Sequence, residues 1–304
     1  LRRAAANPSK FISPPAVLMC SVMVGVHFPP VLVRMTHRSF DFLTTLPSPF
    51  DDGHALRKFW RSTRRFFAFI VISLAATVSA LARKLSGANH VSLYRPYMWY
   101  CRNIHRFTGI RVTVEGELPN HASVLVANHR TYIDAVMVPS PHPLVFVAKA
   151  EVKRWPIIGW GGNAIRTIWV KRSSAESRKA TRVEVRKRIE DDLSIIIFPE
   201  GTTHRGPDLL EYKMGMFKMC AEGGFPICPI AMEYRHQDVS WVSNSKFIPH
   251  AFKVFGHRYI DVSVRFGEVQ YGDDPVELRQ RLRDWTAKNC LEMRANFDAQ
   301  TKGS

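Results

Sequence analysis

From about residue 110 onward, short runs rich in Val, Ile and Phe recur at 112–118, 123–128, 143–149, 164–171, 194–200, 226–234 and 260–269. Their length and β-branched content mark them as strands. Helix-patterned stretches lie between several of them: 174–192, strongly charged and solvent-facing; 213–223, shorter; and 275–297, opened by Asp274 as cap and Pro275 at the first helical position. Strands alternating with helices tightly restrict the fold, because such a succession closes only into a sheet with helices on its faces. The expectation is an α/β domain, a mixed sheet of about seven strands flanked by helices, covering 101–272. A C-terminal amphipathic helix and tail would follow at 273–304. No internal repeat or low-complexity segment interrupts the pattern.

The first hundred residues read differently. Pro14, Pro15, Pro29, Pro30, Pro47 and Pro49 break any continuous helix over the first fifty. The apolar run at 16–26 is shorter than the ~20 residues a spanning helix needs. A second run, 66–82, carries no charge and no proline and is flanked by Arg57, Lys58, Arg61, Arg64 and Arg65 before it and by Arg83 and Lys84 after it. It sits at the lower limit for a crossing, and basic clusters at both ends would meet headgroup phosphates. Residues 1–100 are therefore expected to be an N-terminal membrane-anchoring helical region. Two arrangements fit. A single crossing would place the N-terminal side in the cytoplasm and the rest opposite; a pair formed by 16–26 and 66–82 dipping into one leaflet would keep both flanks on one side. The sequence starts at Leu1 with no initiator methionine, so the natural N-terminus is expected upstream and the lack of a signal peptide carries no weight.

With 304 residues and 46% apolar content, the chain has enough material for one large core plus an extension. Lys and Arg number 43 against 26 Asp and Glu, a net +17, which suits an anionic partner: a phospholipid surface, nucleic acid or a phosphorylated substrate. The basic stretch 182–188 has no aromatic platform or helix-turn-helix beside it and reads as a solvated helix face, so nucleic acid is not expected. Five cysteines, widely scattered and without a CxxC pair, indicate neither a disulfide framework nor a zinc site, and fit a reducing compartment.

The chemistry concentrates where strands end. After the apolar run at 123–128 the chain stops on Asn128 and His129, with Asp134 five residues on. In a continuous helix these two side chains would diverge by about 140°, so a turn leading into a helix is required, with Asp134 reaching back to the ring. There the carboxylate accepts from one ring nitrogen, fixes the tautomer and leaves the other nitrogen free to take a proton from an alcohol. A second cluster, IIIFPEGTTHRG, ends a strand in a polar turn with Glu200, Gly201, Thr202 and Arg205. A third, NAIRTIWVKR, delivers Arg172 from another strand end. A fourth, PICPI, brackets Cys228 with Pro226 and Pro229.

These four blocks, in this order over roughly 110–235, resemble the glycerolipid acyltransferases, the family that includes 1-acyl-sn-glycerol-3-phosphate acyltransferase. NHRTYID is similar to its His-four-residues-Asp block, IRTIWVKR to its second block, FPEGTT to its third and PICPI to its fourth. The resemblance implies that His129 is the general base that deprotonates an acceptor hydroxyl, that Asp134 orients it, and that no acyl-enzyme forms. It further implies that Arg172, Glu200 and Gly201 hold a phosphorylated acceptor, with Asn128, Lys149, Thr202 and Arg205 completing the substrate-binding set. Arg grips phosphate bidentately; a Glu cannot, so hydroxyl binding or loop ordering is the expected role of Glu200. The implied donor is acyl-CoA or acyl-carrier protein, a co-substrate; no cofactor or metal is expected.

One departure bears on the acceptor. Family members acting on lysophosphatidic acid usually carry Arg right after Glu-Gly-Thr, where this chain has Thr203. Lysophosphatidic acid remains the leading acceptor, with glycerol 3-phosphate, lysophosphatidylcholine and CoA-independent transacylation as alternatives, and a non-catalytic lipid-binding protein as the alternative of another class. Because the implied donor is cytosolic and charged, the leaflet-dipping arrangement is preferred, with the site facing the cytosol at the endoplasmic reticulum or a bacterial inner membrane. Lys213 and Gly215 resemble a family helix start, Met214, Met216 and Met219 suit core packing or an acyl-chain lining, and the tryptophans of 155–162 suit either a core loop or membrane contact.

Overall fold

The strand runs fold where composition placed them, as β1 (Ile110–Glu115), β2 (Val124–Ala127), β3 (Leu144–Lys149), β4 (Ile168–Val170), β5 (Ser194–Ile197), β6 (Ile227–Tyr234) and β7 (Ile260–Phe266). The computed structural model describes residues 54–302 apart from 139, 141, 243 and 244; the expected segment 16–26 lies outside them. The seven strands form one sheet in the order β1-β7-β6-β2-β5-β3-β4. Only the β6–β7 pairing is antiparallel; every other neighbouring pair is parallel. Every residue of β2, β5 and β6 is buried, which is why these strands read as unbroken apolar runs: both faces of a parallel sheet are covered. In β7, inward and half-covered positions alternate.

Side chains of successive strand residues go to opposite faces, and two cores result. On one face Leu125, Ile196, Ile230 and Met232 pack against Tyr94, Tyr97 and Cys101 of α2 (His90–Thr108) and Val254 and Phe255 of α6 (Phe247–Phe255). On the other, Val124, Val126, Ile195 and Ile197 meet Val185 and Ile189 of α4 (Ala175–Glu190), Phe217 of α5 (Gly215–Gly223), and Leu282 and Met293 of α7 (Pro275–Lys302). Among the described residues, α2 and α7 pack on the same sheet as the strands between them.

The apolar run at 66–82 lies inside a longer helix, α1 (His54–Leu85). Among the described residues its hairpin partner is α2, capped by Asn89, whose side chain accepts from the Ser92 N–H at 2.9 Å, and closed by Gly109 in the left-handed conformation. The flanking basic residues do not all face outward as expected. Arg65 is buried and donates to the carbonyls of His257 at 2.6 Å and Arg258 at 2.9 Å, and Arg61 donates to the Gly256 carbonyl at 2.6 Å. These helix-end carbonyls lack intrahelical donors, and the arginines supply them. Toward its far end α1 is tied by Thr77 to the Ile157 carbonyl, just before α3 (Ile158–Ala164). The strand expected over 164–171 is shortened because Ile165 closes α3 and Arg166 turns the chain at φ 63°.

The topology fixes where chemistry can occur. After β2 the chain crosses to β3 on one side, and after β5 it crosses to β6 on the other, so β2 lies between β5 and β6. At such a switch point the connections diverge and leave a crevice beyond the strands' carboxyl ends.

Candidate active site

His129 follows β2, and a single turn of 3-10 helix, Tyr132–Val136, brings Asp134 back beneath it. His129 Nδ1 lies 2.8 Å from Asp134 Oδ2. The same oxygen accepts the backbone N–H groups of Arg130 at 2.6 Å and Thr131 at 2.9 Å, and Oδ1 accepts the Tyr234 hydroxyl at 2.7 Å. Every contact of this fully buried carboxylate is as an acceptor, so Nδ1 donates to it and Nε2 is the nitrogen left to exchange a proton. The His129 side chain is 19% exposed, and Phe198 stacks on its ring with centroids 4.1 Å apart. The imidazole is thus fixed in tautomer and tilt with its reactive nitrogen unspent.

Glu200 stands just past β5 and is buried. Its Oε1 accepts the His129 N–H at 2.8 Å and its Oε2 the Leu210 N–H at 3.1 Å. The carboxylate therefore splices the strand end that bears His129 to the returning end of the 201–210 loop; its contacts here are those of loop ordering. Burial pushes the Glu200 carboxyl above its usual range, and the two N–H donors draw it back. Gly201 adopts φ 73°, a conformation glycine takes without strain, and its carbonyl accepts from Arg172 Nη1. Arg172, half-buried beyond β4, has its pKa lowered by burial.

The remaining expected residues divide. Asn128 is fully buried and clamps β2 to β6, its amide donating to the Met232 carbonyl and accepting from the Met232 N–H, both at 2.8 Å. Lys149, Thr202 and Arg205 are exposed, and Lys149 Nζ lies 3.5 Å from Glu151. Thr203, at the departure point, donates its hydroxyl to the Trp241 carbonyl. Lys149 ends β3, and Arg172 and Arg205 sit past the carboxyl ends of β4 and β5, giving the rim of the crevice a cationic character.

Sequence reading did not single out several residues that build the site. Arg130, beside His129 and only 1% exposed, donates to the carbonyls of Asp208 at 3.0 Å and Pro207 at 3.1 Å and lies 3.3 Å from Glu233. Arg294, from α7, bonds the other oxygen of Glu233 and the carbonyl of Tyr234. The signal for Glu233 and Tyr234 was two polar residues ending an otherwise apolar, all-buried strand. His236, Asp238 and His257 bring ligating atoms within 4.8 Å of one another; Lys253 lies 3.3 Å from Asp238, and the two rings stack at 4.3 Å.

The arrangement can do one thing well: accept a proton at Nε2 from a hydroxyl delivered beside a cationic rim. The family model described as Acyltransferase matches residues 109–233, which span this site. A lyso-ornithine lipid O-acyltransferase of Pseudomonas aeruginosa is 32% identical over 186 residues, 60% of this chain and 71% of that protein. Its counterpart in Rhizobium meliloti is 30% identical, over 57% of this chain and 68% of that protein. A 1-acyl-sn-glycerol-3-phosphate acyltransferase of Neisseria meningitidis is 25% identical, over 50% and 60%. Among solved structures, the 1-acyl-sn-glycerophosphate (LPA) acyltransferase PlsC of Thermotoga maritima superposes with TM-score 0.64 over 80% of this chain and 98% of that one; at 16% identity the likeness is one of fold.

Proposed function

The chain belongs to the glycerolipid acyltransferase family and is an O-acyltransferase, and on that premise we propose that it moves a fatty acyl group from a thioester donor to the hydroxyl of a lysolipid whose headgroup bears a phosphate or carboxylate, at a membrane surface, with His129 as general base. The observation that carries this reading is the His129–Asp134 pair, 2.8 Å apart, with Nε2 unspent. Nε2 takes the hydroxyl proton as the oxygen attacks the thioester carbonyl; the tetrahedral intermediate collapses with breakage of the C–S bond, and the imidazolium returns the proton to the leaving thiolate. Asp134 orients the ring and stabilises its charge. The acceptor oxygen attacks directly, so no side-chain nucleophile is called for.

The cationic rim of Lys149, Arg172 and Arg205 favours an anionic headgroup. Lysophosphatidic acid, which would give phosphatidic acid, is one acceptor of that kind. A lyso-ornithine lipid, zwitterionic but with a carboxylate that the same rim can bind, is a second candidate, favoured by two observations: the names of the relatives in Pseudomonas and Rhizobium, and Thr203, occupied by the Trp241 carbonyl, in place of an arginine that would read phosphate. Acyl-CoA or an acyl-carrier protein fits as donor.

Membrane association is supported by α1. Leu56, Trp60, Phe67, Val71, Leu74, Val78, Leu81 and Leu85 are exposed at helical spacing and form one apolar stripe. The opposite face is held to α6 by Arg61, Ser62 and Arg65 and to the α3 entry by Thr77. A helix attached along its length cannot be ringed by lipid without carrying the domain with it, so an in-plane seat in one leaflet fits better than a crossing. The catalytic domain would then stay on the donor's side, at the cytosolic face.

The deciding experiment incubates purified protein with labelled acyl-CoA or acyl-carrier protein and a panel of lysophosphatidic acid, lyso-ornithine lipid, lysophosphatidylcholine and glycerol 3-phosphate. Lysophosphatidic acid or lyso-ornithine lipid is expected to be acylated fastest, and His129→Ala to lower that rate by about 10²–10⁴ while leaving the protein folded. Retained turnover in His129→Ala would remove the base assignment.

A further inference from the structure

Asp134 is held from both sides, and only one side is the imidazole. Its Oδ2 serves His129 and two backbone N–H groups; its Oδ1 accepts a single side chain, the Tyr234 hydroxyl at 2.7 Å. Tyr234 is the last residue of β6 and is 1% exposed. Burial, with Asp134 beside it, pushes the phenol well above its ordinary range, so it remains a donor at any working pH.

The strand end that carries Tyr234 is itself anchored. Arg294 from α7 donates to the Tyr234 carbonyl at 2.7 Å and the Arg235 carbonyl at 3.1 Å. Glu233, one residue earlier, is gripped by Arg294 and lies 3.3 Å from Arg130, which adjoins His129. Asn128, on the other side of His129, is bonded to Met232 of β6. The hydroxyl of Tyr234 and the backbone of His129 therefore belong to one braced unit, and the distance between Tyr234 and Asp134 is not free to drift.

We propose that Tyr234 is a positioning residue for acyl transfer: its hydroxyl locks the rotation of the Asp134 carboxylate and draws off part of its charge, so that His129 is aligned yet remains an unprotonated base. Two effects follow from one hydrogen bond. The lock keeps Oδ2 on Nδ1. The withdrawal of charge weakens the pull of the carboxylate on the imidazole proton and so lowers the affinity of Nε2 for a resident proton. Without the hydroxyl, Asp134 would turn more freely and hold the imidazolium more strongly, and a larger share of the enzyme would be protonated before the acceptor arrives. The other ionisable groups facing this assembly are Glu200 beyond β5, Arg130, Glu233 on β6, and Tyr132 on the 3-10 turn; all are retained in the variants below.

The inference rests on His129 as the base, and the test separates the two. The purified full chain is assayed for kcat, KM and the pH dependence of kcat/KM as wild type, Tyr234→Phe, Asp134→Asn, their double variant, His129→Ala, and with fluorotyrosines incorporated at 234. Expected is a roughly tenfold fall in kcat for Tyr234→Phe, in the range seen when groups that orient a histidine are removed, with KM within about twofold. The acid limb should move to higher pH in Tyr234→Phe and to lower pH in the fluorotyrosine series, whose more acidic hydroxyls donate more strongly. In the residual activity of Asp134→Asn, adding Tyr234→Phe should change nothing further. An unmoved acid limb, or a Tyr234→Phe effect that multiplies with Asp134→Asn, overturns the proposal. If Tyr234→Phe does not fold, the fluorotyrosine series, which keeps ring and hydroxyl, decides alone. His129→Ala inactive with a flat fluorotyrosine series overturns only the role of Tyr234; His129→Ala active overturns the base and this role together.

Discussion

At the scale of single residues, the site works by saturation. Asp134 has each oxygen bonded and Glu200 has both oxygens on backbone N–H groups, so neither carboxylate can rotate without breaking a hydrogen bond. Glu200 offers a discriminating experiment. A glutamine keeps the shape but replaces one acceptor by an NH2 group, leaving either the His129 N–H or the Leu210 N–H without a partner. Such a loss costs about 1–3 kcal/mol of stability. Glu200→Gln should lower the urea midpoint accordingly and reduce kcat by roughly 10²-fold, because a small displacement of His129 is felt directly in the transition state. A rise in KM with unchanged stability would instead place Glu200 on the acceptor hydroxyl. Burial raises the Glu200 carboxyl, a shift that opposes its charged form. A raised carboxyl contributes least where it is ionised, so the two N–H bonds must offset that cost for the loop to stay closed near neutral pH.

At the scale of elements, α1 is doubly amphipathic. One face carries Ser62, Arg65, Ser73 and Thr77, buried against α6, α2 and α3, and the other carries the exposed apolar stripe. Phe67 and Val78, 69% and 56% exposed, lie in that stripe and contribute little to the folded core. Phe67→Asp with Val78→Asp should therefore leave the melting temperature near wild type and weaken co-sedimentation with anionic vesicles by tenfold or more, since each apolar side chain withdrawn from lipid forfeits about 1.5–3 kcal/mol. Unchanged vesicle binding would remove α1 as the docking element. How far each element was legible follows from its signal. Strands β2, β5 and β6 were readable because strands buried on both faces are continuous apolar runs, and the other four through their short β-branched and aromatic stretches. The helix α4 was readable through its charged, solvent-facing pattern, and the structure adds Ser174 as its cap. Three helices were not. Helix α2 carries Pro96 in its interior, α3 is only 7 residues with three glycines, and α6 contains a proline; each breaks the local rules and is held by tertiary packing, α2 and α6 on the sheet and α3 against α1. The His129–Asp134 pair was legible because five residues separate it, whereas Tyr234 and Arg130 reach the site only through the β2–β6 pairing, a contact about a hundred residues long in sequence that no local pattern announces.

At the scale of the whole molecule, the net charge of +17 and the buried histidines set opposite limits on working pH. The charge suits an anionic surface and grows as pH falls. The histidines resist that direction. His250, on α6, has its rings' nitrogens near the Tyr132 hydroxyl at 3.3 Å and the Ser240 carbonyl at 3.2 Å, and His257, just past α6, sits 3.0 Å from Asp238 with Lys253 close by. Burial lowers the pKa of both; for His257 the Asp238 charge works against that shift, while His236 and Lys58 reinforce it. Both imidazoles are neutral in the folded and the unfolded chain above the ordinary value of about 6.5, and stability there is undiminished. As pH falls through that value the unfolded chain takes up protons that the folded chain refuses, and stability declines until the depressed folded pKa is reached. Both residues lie where α1 is pinned to α6 through Arg61, Ser62 and Arg65, so the weakened region is the joint between the apolar hairpin and the catalytic sheet. A thermal melt in detergent should show the midpoint falling between about pH 7 and pH 5, and the paired substitution His250→Gln with His257→Gln should flatten that slope. A wild-type midpoint that stays level over the same interval would mean that this joint does not sense protons, and that acid sensitivity, where present, arises at the catalytic carboxylates instead.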